Sequence, residues 1–541
     1  MAEAVGTALA ELGVDTVFGV VGSGNFHVTN ALVAGGARFV AARHESGAAT
    51  MADAYARISR RLGVVSVHQG CGLTNAMTGI TEAAKSRTPL LVLAAEADSP
   101  TSNFAVDQDA LAEAVGAVAE RVHSSANVYD DVLRAWRRAV LDRRTVVLNL
   151  PLGVQAAEAP AVPTPRVPAA PPPAAPRGGL DELAGLLSAA ERPVFIAGRG
   201  ARLAHSRQAL ENLGDACGAL LATSAVAKGF FRGSRWDLDV SGGFSTPLAA
   251  ELIGAADLVV GWGCSLTMWT TRHGRLIADD ATLVQVDSDA DAIGRQRPVQ
   301  LGIVGDVLDV ATRVLARPRG PWRLGYRTDG VSTRLAAAHR WRDVPFDDDS
   351  TDDRIDPRTL TVGLDDLLPA ERIVAVDSGN FMGYPAMFLD VPDDDGFCFT
   401  QSYQSIGLGL STAIGAALAR PDRLPVAALG DGGALMSICE LDTVVRLGLP
   451  MVVVVYNDEA YGAEVHHFGP SGYPLDTVRF PETDIAAIGR GFGCDAVTVR
   501  TAAGLDGVRR WLDGPRDRPL LIDAKITEAP SWWLEEAFRG H

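Results

Sequence analysis

Short, unbroken runs of Val, Ile and Leu recur along the whole chain, and they constrain the fold more than any other feature. Each run has the length of a β-strand and is separated from the next by a stretch that favours a helix. Continuous apolar runs are typical of parallel strands covered by helices on both faces. The clearest runs are "TVFGVV", "GVVSVH", "PLLVLAAE", "RPVFIAGRG", "DLVVGWG", "RIVAVDSG" and "PMVVVVYND". We therefore predict an α/β fold with three doubly wound parallel-sheet domains.

Two stretches without this pattern divide the chain into three blocks. The first, residues 159–179, is rich in Pro and Ala, a composition that favours an extended, semi-rigid linker. The second, residues 317–356, contains "RPRGPW" and the acidic run "DDDSTDD". The predicted domains are therefore residues 1–158, 180–316 and 357–541.

The composition is that of a soluble globular protein. The chain has 541 residues, of which 47% are hydrophobic, and a formal net charge of −17, which argues against binding to nucleic acid or to a membrane surface. The N-terminus lacks the pattern of a signal peptide, and the apolar runs are too short to span a membrane. Six scattered cysteines without a CxxC pair favour reduced thiols. We expect a cytoplasmic protein without nucleic-acid or membrane partners.

The strand "LPVAALG" runs into a glycine-rich turn, residues 430–433, and a helix is predicted to begin near Ala434. Glycines let backbone N–H groups approach an anion, and a helix N-terminus favours negative charge. Asp431 within this turn would repel a phosphate unless a cation lies between them, and Mg²⁺ prefers such oxygen ligands. Asp458 follows the next strand, so two neighbouring strand ends could supply two carboxylates to one ion. Taken alone, the glycine turn favours the simpler interpretation, a turn aspartate and a solvated loop aspartate.

The whole unit from this turn to Asp458 resembles the thiamine-diphosphate motif, in which Gly-Asp-Gly is followed by a helix, a strand and Asn-Asn. Three further residues stand where that family usually has the same residue types: Glu440, Arg446 and Pro450. The resemblance covers the whole chain and implies a pyrimidine-binding, a central and a diphosphate-binding domain, in that order. It also implies that Mg²⁺ is bound by Asp431, Asp458 and the backbone carbonyl of Ala460.

The second metal position departs from the family pattern, because Asp458 stands where the family usually has Asn. The extra charge could strengthen Mg²⁺ binding or repel the diphosphate. The preceding Asn457 is a less suitable ligand, since alternation along a strand points it the other way.

The resemblance assigns further cofactor contacts to residues that follow strands or flank the metal ligands. These residues are Asn75, Gly379, Asn380, Phe381, Ser405, Ile406, Gly430, Gly432, Gly433, Tyr461 and Gly462. Ile406 matches the large apolar residue that lies beneath the thiazolium ring, and ordinary core packing is the alternative interpretation.

Glu45 stands at the end of a predicted strand and the start of a helix, in "VAARHESGAATMADAYAR". A carboxylate at this position also has a purely structural use, since it interacts favourably with the helix dipole. The segment resembles the family's catalytic glutamate, which exchanges a proton with the cofactor pyrimidine and so activates the reactive carbon C2. In that family the glutamate and the diphosphate site come from different subunits. The resemblance therefore implies a homodimer or homotetramer with active sites at the subunit interface.

Ser23 and His68 follow strands on the same side of the first block as Glu45. Their context resembles benzoylformate decarboxylase, in which a Ser and a His at these places act on the substrate. A second catalytic His of that enzyme has no clear counterpart here, since Thr270 falls near its place and His273 lies close by. A hydrogen-bonded structural role is the alternative for His68.

Two more residues are candidates for the substrate pocket. Gln108 lies where acetolactate synthases have a Gln, and Glu464 matches a pocket Glu that pyruvate decarboxylases use for proton transfer. An exposed position at the start of a helix is the alternative for Glu464. The roles of the neighbouring His466 and His467 stay open.

The resemblance implies a decarboxylase or carboligase, similar to acetolactate synthase, that uses thiamine diphosphate and Mg²⁺ on a 2-oxo acid. The product would be an aldehyde, or a new carbon–carbon bond to a second carbonyl compound. The alternatives are a benzoylformate decarboxylase-like enzyme, an acyloin lyase and, more remotely, a non-catalytic cofactor-binding homologue. FAD, which the central domain of acetolactate synthases can bind, is not required by any residue here. We expect Arg199 and Arg202 to be solvated, and contact with a nucleotide is the alternative.

Overall fold

The fold is taken from a computed structural model, which describes residues 1–160, 174, 177–317, 322–529, 531 and 533. Most of the predicted linker 159–179 lies outside these residues. Among the described helices, none has both the length and the apolar character needed to cross a membrane.

The first domain is built on a six-stranded parallel sheet. Its strands are β1 (Thr16–Gly19), β2 (Arg38–Ala41), β3 (Gly63–Val67), β4 (Leu90–Glu96), β5 (Val118–Arg121) and β6 (Thr145–Pro151). Its helices are α1 (Ala2–Glu11), α2 (Phe26–Ala34), α3 (Glu45–Ser59), α4 (Cys71–Lys85), α5 (Gln108–Ala114), α6 (Val128–Val140) and α7 (Leu152–Ala156). The strand order is β2-β1-β3-β4-β6-β5.

The central domain also has a six-stranded parallel sheet, in the order β12-β11-β10-β7-β8-β9. Its strands are β7 (Pro193–Ala197), β8 (Leu220–Thr223), β9 (Asp237–Val240), β10 (Leu258–Trp262), β11 (Thr282–Asp287) and β12 (Leu301–Val304). Its helices are α8 (Arg177–Ala189), α9 (Arg199–Leu203), α10 (Arg207–Cys217), α11 (Pro247–Gly254), α12 (Met268–Thr271) and α13 (Val307–Leu315). A further helix, α14 (Asp329–Ala338), lies in the second predicted linker.

The third domain repeats the strand order of the first, as β14-β13-β15-β16-β18-β17. Its strands are β13 (Arg372–Val376), β14 (Phe397–Phe399), β15 (Leu424–Gly430), β16 (Val452–Asn457), β17 (Asp495–Val499) and β18 (Leu520–Lys525). Its helices are α15 (Pro357–Leu367), α16 (Gly383–Phe388), α17 (Gly409–Ala419), α18 (Asp431–Ser437), α19 (Leu441–Arg446), α20 (Gly462–Phe468), α21 (Ile485–Phe492) and α22 (Asp506–Leu512). The predicted fold of three parallel α/β domains is confirmed.

The first and third domains share one hydrophobic core, which α3 and α17 form with the sheets behind them. Both helices are rich in Ala and Gly, so their backbones pack closely. A Cβ atom on Gly415 would lie only 2.1 Å from the carbonyl oxygen of Met51. The central domain, by contrast, packs around two cores of its own.

A buried ionic network fastens the same two domains together. Arg57 donates to Asp53 at 2.7 Å, to Glu82 at 2.7 Å and to the carbonyl of Phe399 at 2.9 Å. Glu82 also accepts the backbone N–H of Ser402, at 3.0 Å. Because Arg57 and both carboxylates are almost completely buried, each charge depends on the others for its stabilisation.

The expectation that Arg199 and Arg202 are solvated is wrong. Arg202 is only 2% exposed and pairs with Asp395 at 2.7 Å, while Arg199 donates to the carbonyl oxygen of Ser86 in the first domain. Burial lowers the pKa of Arg199 well below its ordinary value. Both arginines join the central domain to its neighbours, and sequence composition does not reveal contacts between domains.

Candidate active site

The candidate residues form two groups, one in the first domain and one in the third, at equivalent places in two similar sheets. In open parallel sheets, ligands bind beyond the carboxyl ends of the strands where the strand order reverses direction. This point lies between β1 and β3 in the first domain and between β13 and β15 in the third. Ser23 and His68 follow the first pair of strands, and Asn380 and Asp431 follow the second pair.

In the third domain, Asp431 is the first residue of α18, so this helix begins earlier than the predicted start near Ala434. Gly432 and Gly433 form its first turn. A Cβ atom on Gly432 would lie 2.6 Å from the ring of Tyr461, and one on Gly433 would lie 2.3 Å from a carboxylate oxygen of Asp377. The close approach of these side chains explains why both positions are glycine.

Asp431 and Asp458 are both buried, with 8% and 9% of their surface exposed. Burial raises the pKa of Asp431 to about 6. Burial and the neighbouring charge of Asp431 raise the pKa of Asp458 to about 8. Two carboxylates that repel each other in a buried place are stabilised by a cation between them. Asn457 instead donates to Asp523 at 2.8 Å, so its side chain points into the domain.

The residues at this place fit the metal and the diphosphate that the fold implies. Among the described residues no cluster of three His, Cys, Asp or Glu side chains could hold a metal ion alone. A magnesium ion here would therefore use Asp431, Asp458, a backbone carbonyl such as that of Ala460, and oxygens of a phosphate ligand. Gly462 allows this arrangement, since a Cβ atom there would lie 2.4 Å from a carboxylate oxygen of Asp458.

The residues after β13 form another wall of this site. Gly379 has a φ of 140°, a conformation that favours glycine. Asn380 is 7% exposed and donates to the carbonyl of Ala529 at 3.2 Å. Phe381 stacks on Tyr456 with the ring centres 5.3 Å apart. These contacts hold the segment rigidly against the strand that precedes Asp458.

Asp377, which our sequence analysis did not single out, fixes the segment that carries Ser405 and Ile406. Its carboxylate accepts the backbone N–H groups of Gly407 at 2.9 Å and of Leu408 at 3.2 Å. Burial raises the pKa of Asp377 to about 6. Ile406 is half-buried rather than part of the core, as is Ser405, so both side chains remain accessible beside the glycine turn. The sequence signal that could have identified Asp377 is its position directly after a buried strand.

In the first domain, Oγ of Ser23 lies 3.3 Å from Nε2 of His68, and Nδ1 of His68 lies 3.1 Å from the carbonyl oxygen of Gln69. A carbonyl oxygen can only accept, so we assign the proton of the neutral imidazole to Nδ1. Nε2 then accepts a hydrogen bond from the hydroxyl of Ser23. The ring of His68 contacts Phe104 edge to face at 5.1 Å, which fixes its orientation.

Glu45 is the first residue of α3 and is half-exposed, where it accepts a hydrogen bond from Asn75 at 3.1 Å. The two residues belong to neighbouring helices, so the structure brings together two predicted site residues. His44 caps the helix, since its Nδ1 accepts from the N–H of Ser46 at 3.1 Å.

Gln108 is 2% exposed, and both ends of its amide are used inside the first domain. Its oxygen accepts the N–H of Gly70 at 3.1 Å, and its nitrogen donates to Asn149 at 2.7 Å. Gln108 therefore holds the turn that leads from His68 into α4.

Glu464 lies in the first turn of α20 and is half-exposed. Nε2 of the nearby His466 is buried without a hydrogen-bond partner among the described residues, and burial lowers its pKa. His467 and His273 are both exposed, whereas Thr270 is 7% exposed within the central domain.

Comparison with known proteins agrees with this geometry. Residues 1–118 match the N-terminal TPP binding domain of thiamine pyrophosphate enzymes, residues 180–314 match the central domain, and residues 377–524 match the C-terminal TPP binding domain. Thiamine pyrophosphate is another name for thiamine diphosphate.

Relatives with different names are similar over most of the chain. A protein of Pseudomonas aeruginosa named "Probable 2-ketoarginine decarboxylase AruI" is 31% identical and covers 93% of this chain and 89% of its own. A sulfoacetaldehyde acetyltransferase of Rhodobacter capsulatus is 28% identical, over 99% of this chain and 95% of its own. The acetolactate synthase large subunit of Parasynechococcus marenigrum is 27% identical, over 92% of this chain and 83% of its own. The chain belongs to the family of thiamine-diphosphate-dependent enzymes.

Proposed function

We propose that the protein is a decarboxylase or carboligase that acts on a 2-oxo acid with thiamine diphosphate and Mg²⁺. The observation that carries this proposal is the pair of buried aspartates, Asp431 and Asp458, beside the first turn of α18. Without a bound cation, two buried carboxylates at this place destabilise the folded protein. The same pair suits a site for a cation and a diphosphate.

The glycine turn at 430–433 and the segment 379–381 would hold the diphosphate through backbone N–H groups, with Mg²⁺ bound by Asp431, Asp458 and the carbonyl of Ala460. Ile406 would support the thiazolium ring, and Glu45 would contact the pyrimidine. When bound, thiamine diphosphate supplies a nucleophilic carbon and an electron sink for the loss of CO₂.

The remaining steps are proton transfers that this chain's own side chains are placed to make. Glu45 would give and take the proton at the pyrimidine nitrogen. His68 presents Nε2 to Ser23, so the pair can accept or return a proton at the substrate oxygen or carbon. Glu464 is a second candidate for this role. Polar side chains that carry protons favour release of an aldehyde over formation of a new carbon–carbon bond.

We propose further that the active unit is a homodimer or a homotetramer of dimers. Exposed apolar side chains lie near both groups of site residues, an unusual arrangement for a surface in water. Those near Ser23 and His68 are Val21, Phe26, Phe104 and Val106, and those of the third domain are Leu435, Met436, Phe468, Tyr473 and Phe480. Burial of these surfaces against a second copy would enclose the half-exposed Glu45.

The names of the relatives span decarboxylation and acyl transfer, so the experiment must vary both donor and acceptor. We would first measure binding of thiamine diphosphate with Mg²⁺ by circular dichroism or fluorescence. We would then follow CO₂ release from a panel of 2-oxo acids that includes pyruvate, benzoylformate and 2-ketoarginine, with and without acceptor aldehydes.

CO₂ with an aldehyde product would support a decarboxylase, and CO₂ with a hydroxyketone or acetohydroxy acid would support a carboligase. Cofactor binding without CO₂ release from any 2-oxo acid, with or without an acceptor aldehyde, would contradict the proposal and favour a non-catalytic homologue.

A further inference from the structure

Glu440 is a carboxylate of the third domain that reaches the start of the helix carrying Glu45 in the first domain. It is only 1% exposed. One of its oxygens accepts two backbone N–H groups, those of Arg43 and His44, each at 3.0 Å. The other oxygen accepts the hydroxyl of Thr443 at 2.7 Å. The hydrogen bonds of this buried carboxylate therefore join the segment Arg43–His44 of the first domain to Thr443 of the third domain.

The sequence on the other side of this contact leaves room for the carboxylate. A Cβ atom on Gly47, in the first turn of α3, would lie 2.5 Å from Oε1 of Glu440 and 3.1 Å from the hydroxyl of Ser411. Gly47 lies inside a helix, where alanine is intrinsically more favourable than glycine. The glycine is thus explained by the approach of Glu440 and not by backbone conformation.

Two contacts at the surface also join this segment to the third domain. Asp442 accepts from the side chain of Arg43 at 2.6 Å, and Arg446 donates to the carbonyl of Ala41 at 2.6 Å. Both contacts lie at the surface, so water and salt weaken them. Glu440 differs from them because its bonds are buried and go to the backbone.

We propose that Glu440 is a positioning residue for Glu45. Its carboxylate fixes the backbone of Arg43 and His44. These two residues set the position and direction of the Glu45 side chain at the start of α3. Because Glu440 lies shortly after α18, the contact joins the segment that leads into Glu45 to the third domain of its own chain. This inference rests on the role proposed for Glu45.

The test uses the full-length protein and three substitutions at this contact. Glu440→Leu keeps the size of the side chain but accepts no hydrogen bond. Glu440→Gln keeps an oxygen for both N–H groups, and its nitrogen can donate to Thr443. Gly47→Ala keeps the Glu440 side chain but pushes its carboxylate away from the start of α3. This variant tests the contact even if Glu440→Leu does not fold.

The first measurement is hydrogen–deuterium exchange of the peptide that contains Arg43 and His44, in cofactor-free protein. We expect Glu440→Leu and Gly47→Ala to speed hydrogen exchange of this segment by about tenfold or more, since each loses or weakens hydrogen bonds that protect these amides. Glu440→Gln should stay near wild type. Asp442→Asn is the matched control, a neighbouring carboxylate whose loss should leave these amides protected.

The second measurement is the rate at which the C2 proton of bound thiamine diphosphate exchanges with solvent, at saturating cofactor. We expect a loss of about tenfold or more in Glu440→Leu, with cofactor affinity much less affected, because small displacements of a catalytic group are costly. Wild-type amide protection or wild-type C2 exchange in folded Glu440→Leu would overturn the proposal.

The two measurements separate this inference from the proposed function. If wild-type protein bound the cofactor without C2 exchange, the proposed function would fail, and amide protection alone would decide whether Glu440 holds the segment.

Discussion

The hydroxyl of Ser23 lies 3.3 Å from Nε2 of His68, and the two residues stand beyond the ends of the neighbouring strands β1 and β3. Because Nδ1 of His68 faces a carbonyl oxygen, the neutral ring presents Nε2 as an acceptor. The arrangement gives a hydroxyl and an imidazole that can pass one proton between them, at the place where an open parallel sheet binds its ligands.

His68→Ala should lower kcat by about 100-fold while the affinity for thiamine diphosphate changes little, since general acid–base catalysis contributes factors of this size. Ser23→Ala should lower kcat by a smaller factor. The check is steady-state kinetics on the best substrate of the panel, together with cofactor titration. Equal turnover in wild type and His68→Ala would make His68 a structural residue.

Glu45→Gln should leave a folded protein that binds the cofactor but exchanges its C2 proton at least about 100-fold more slowly, because the amide cannot give and take a proton. Proton exchange followed by NMR in deuterated buffer measures this directly. Gln retains the hydrogen bond to Asn75, so a loss of folding is not expected. C2 exchange at the wild-type rate would exclude a role for Glu45 in activation.

Asp458→Asn should stabilise the cofactor-free protein and still bind Mg²⁺ and cofactor. The pKa of Asp458 is about 8 in the folded protein and about 4 when unfolded, because burial and Asp431 disfavour its charge. Between these values the folded state holds a proton that the unfolded state has released. Stability of the cofactor-free protein should therefore fall as the pH rises from about 4 to 8. Asp458→Asn should reduce this fall by up to about 5 kcal/mol.

Thermal unfolding of cofactor-free protein across this pH range provides the measurement. The control is Asp422→Asn, because Asp422 is an exposed residue whose pKa is lowered to about 2 by its contact with Arg420. This control should not change the slope above pH 4. Loss of cofactor binding in Asp458→Asn would instead show that the charge of Asp458 is needed.

Arg57→Met should destabilise the protein by about 3–5 kcal/mol, because it leaves the buried carboxylates of Asp53 and Glu82 without their cation. Arg60→Met, which removes a partly exposed pairing with Asp395, should cost at most about 1 kcal/mol. Denaturant unfolding compares the two. Similar stabilities would mean that the buried network contributes no more than a surface ion pair.

The sequence pattern predicted the inner strands best, because a strand buried on both faces must be apolar throughout. It missed five edge strands, β5, β9, β12, β14 and β17, and the two inner strands β6 (Thr145–Pro151) and β8 (Leu220–Thr223). All of these except β6 are only three to five residues long, and β6 contains the polar residue Asn149. The start of α18 at Asp431 was also missed, since glycine has a low intrinsic helix propensity.

The candidate site was predictable wherever one motif and the geometry of parallel strands were sufficient. Asp431 and Asp458 follow adjacent strands, and their burial and shifted pKa values agree with a shared site. The internal role of Gln108 and the contact of Glu440 with Arg43 were not predictable, because each depends on partners that are distant in sequence. A single sequence carries no signal for which buried groups meet.

The shared core of the first and third domains has a consequence for how the chain is made. The apolar face of α3 is synthesised long before α17, its packing partner, and at about 5–20 residues per second the delay is roughly half a minute. The central domain has its own cores and can fold in that interval. The chain is therefore not divisible at its domain boundaries: a fragment that ends before α17 leaves the α3 surface bare and prone to aggregation, while the central domain is the part best suited to isolation.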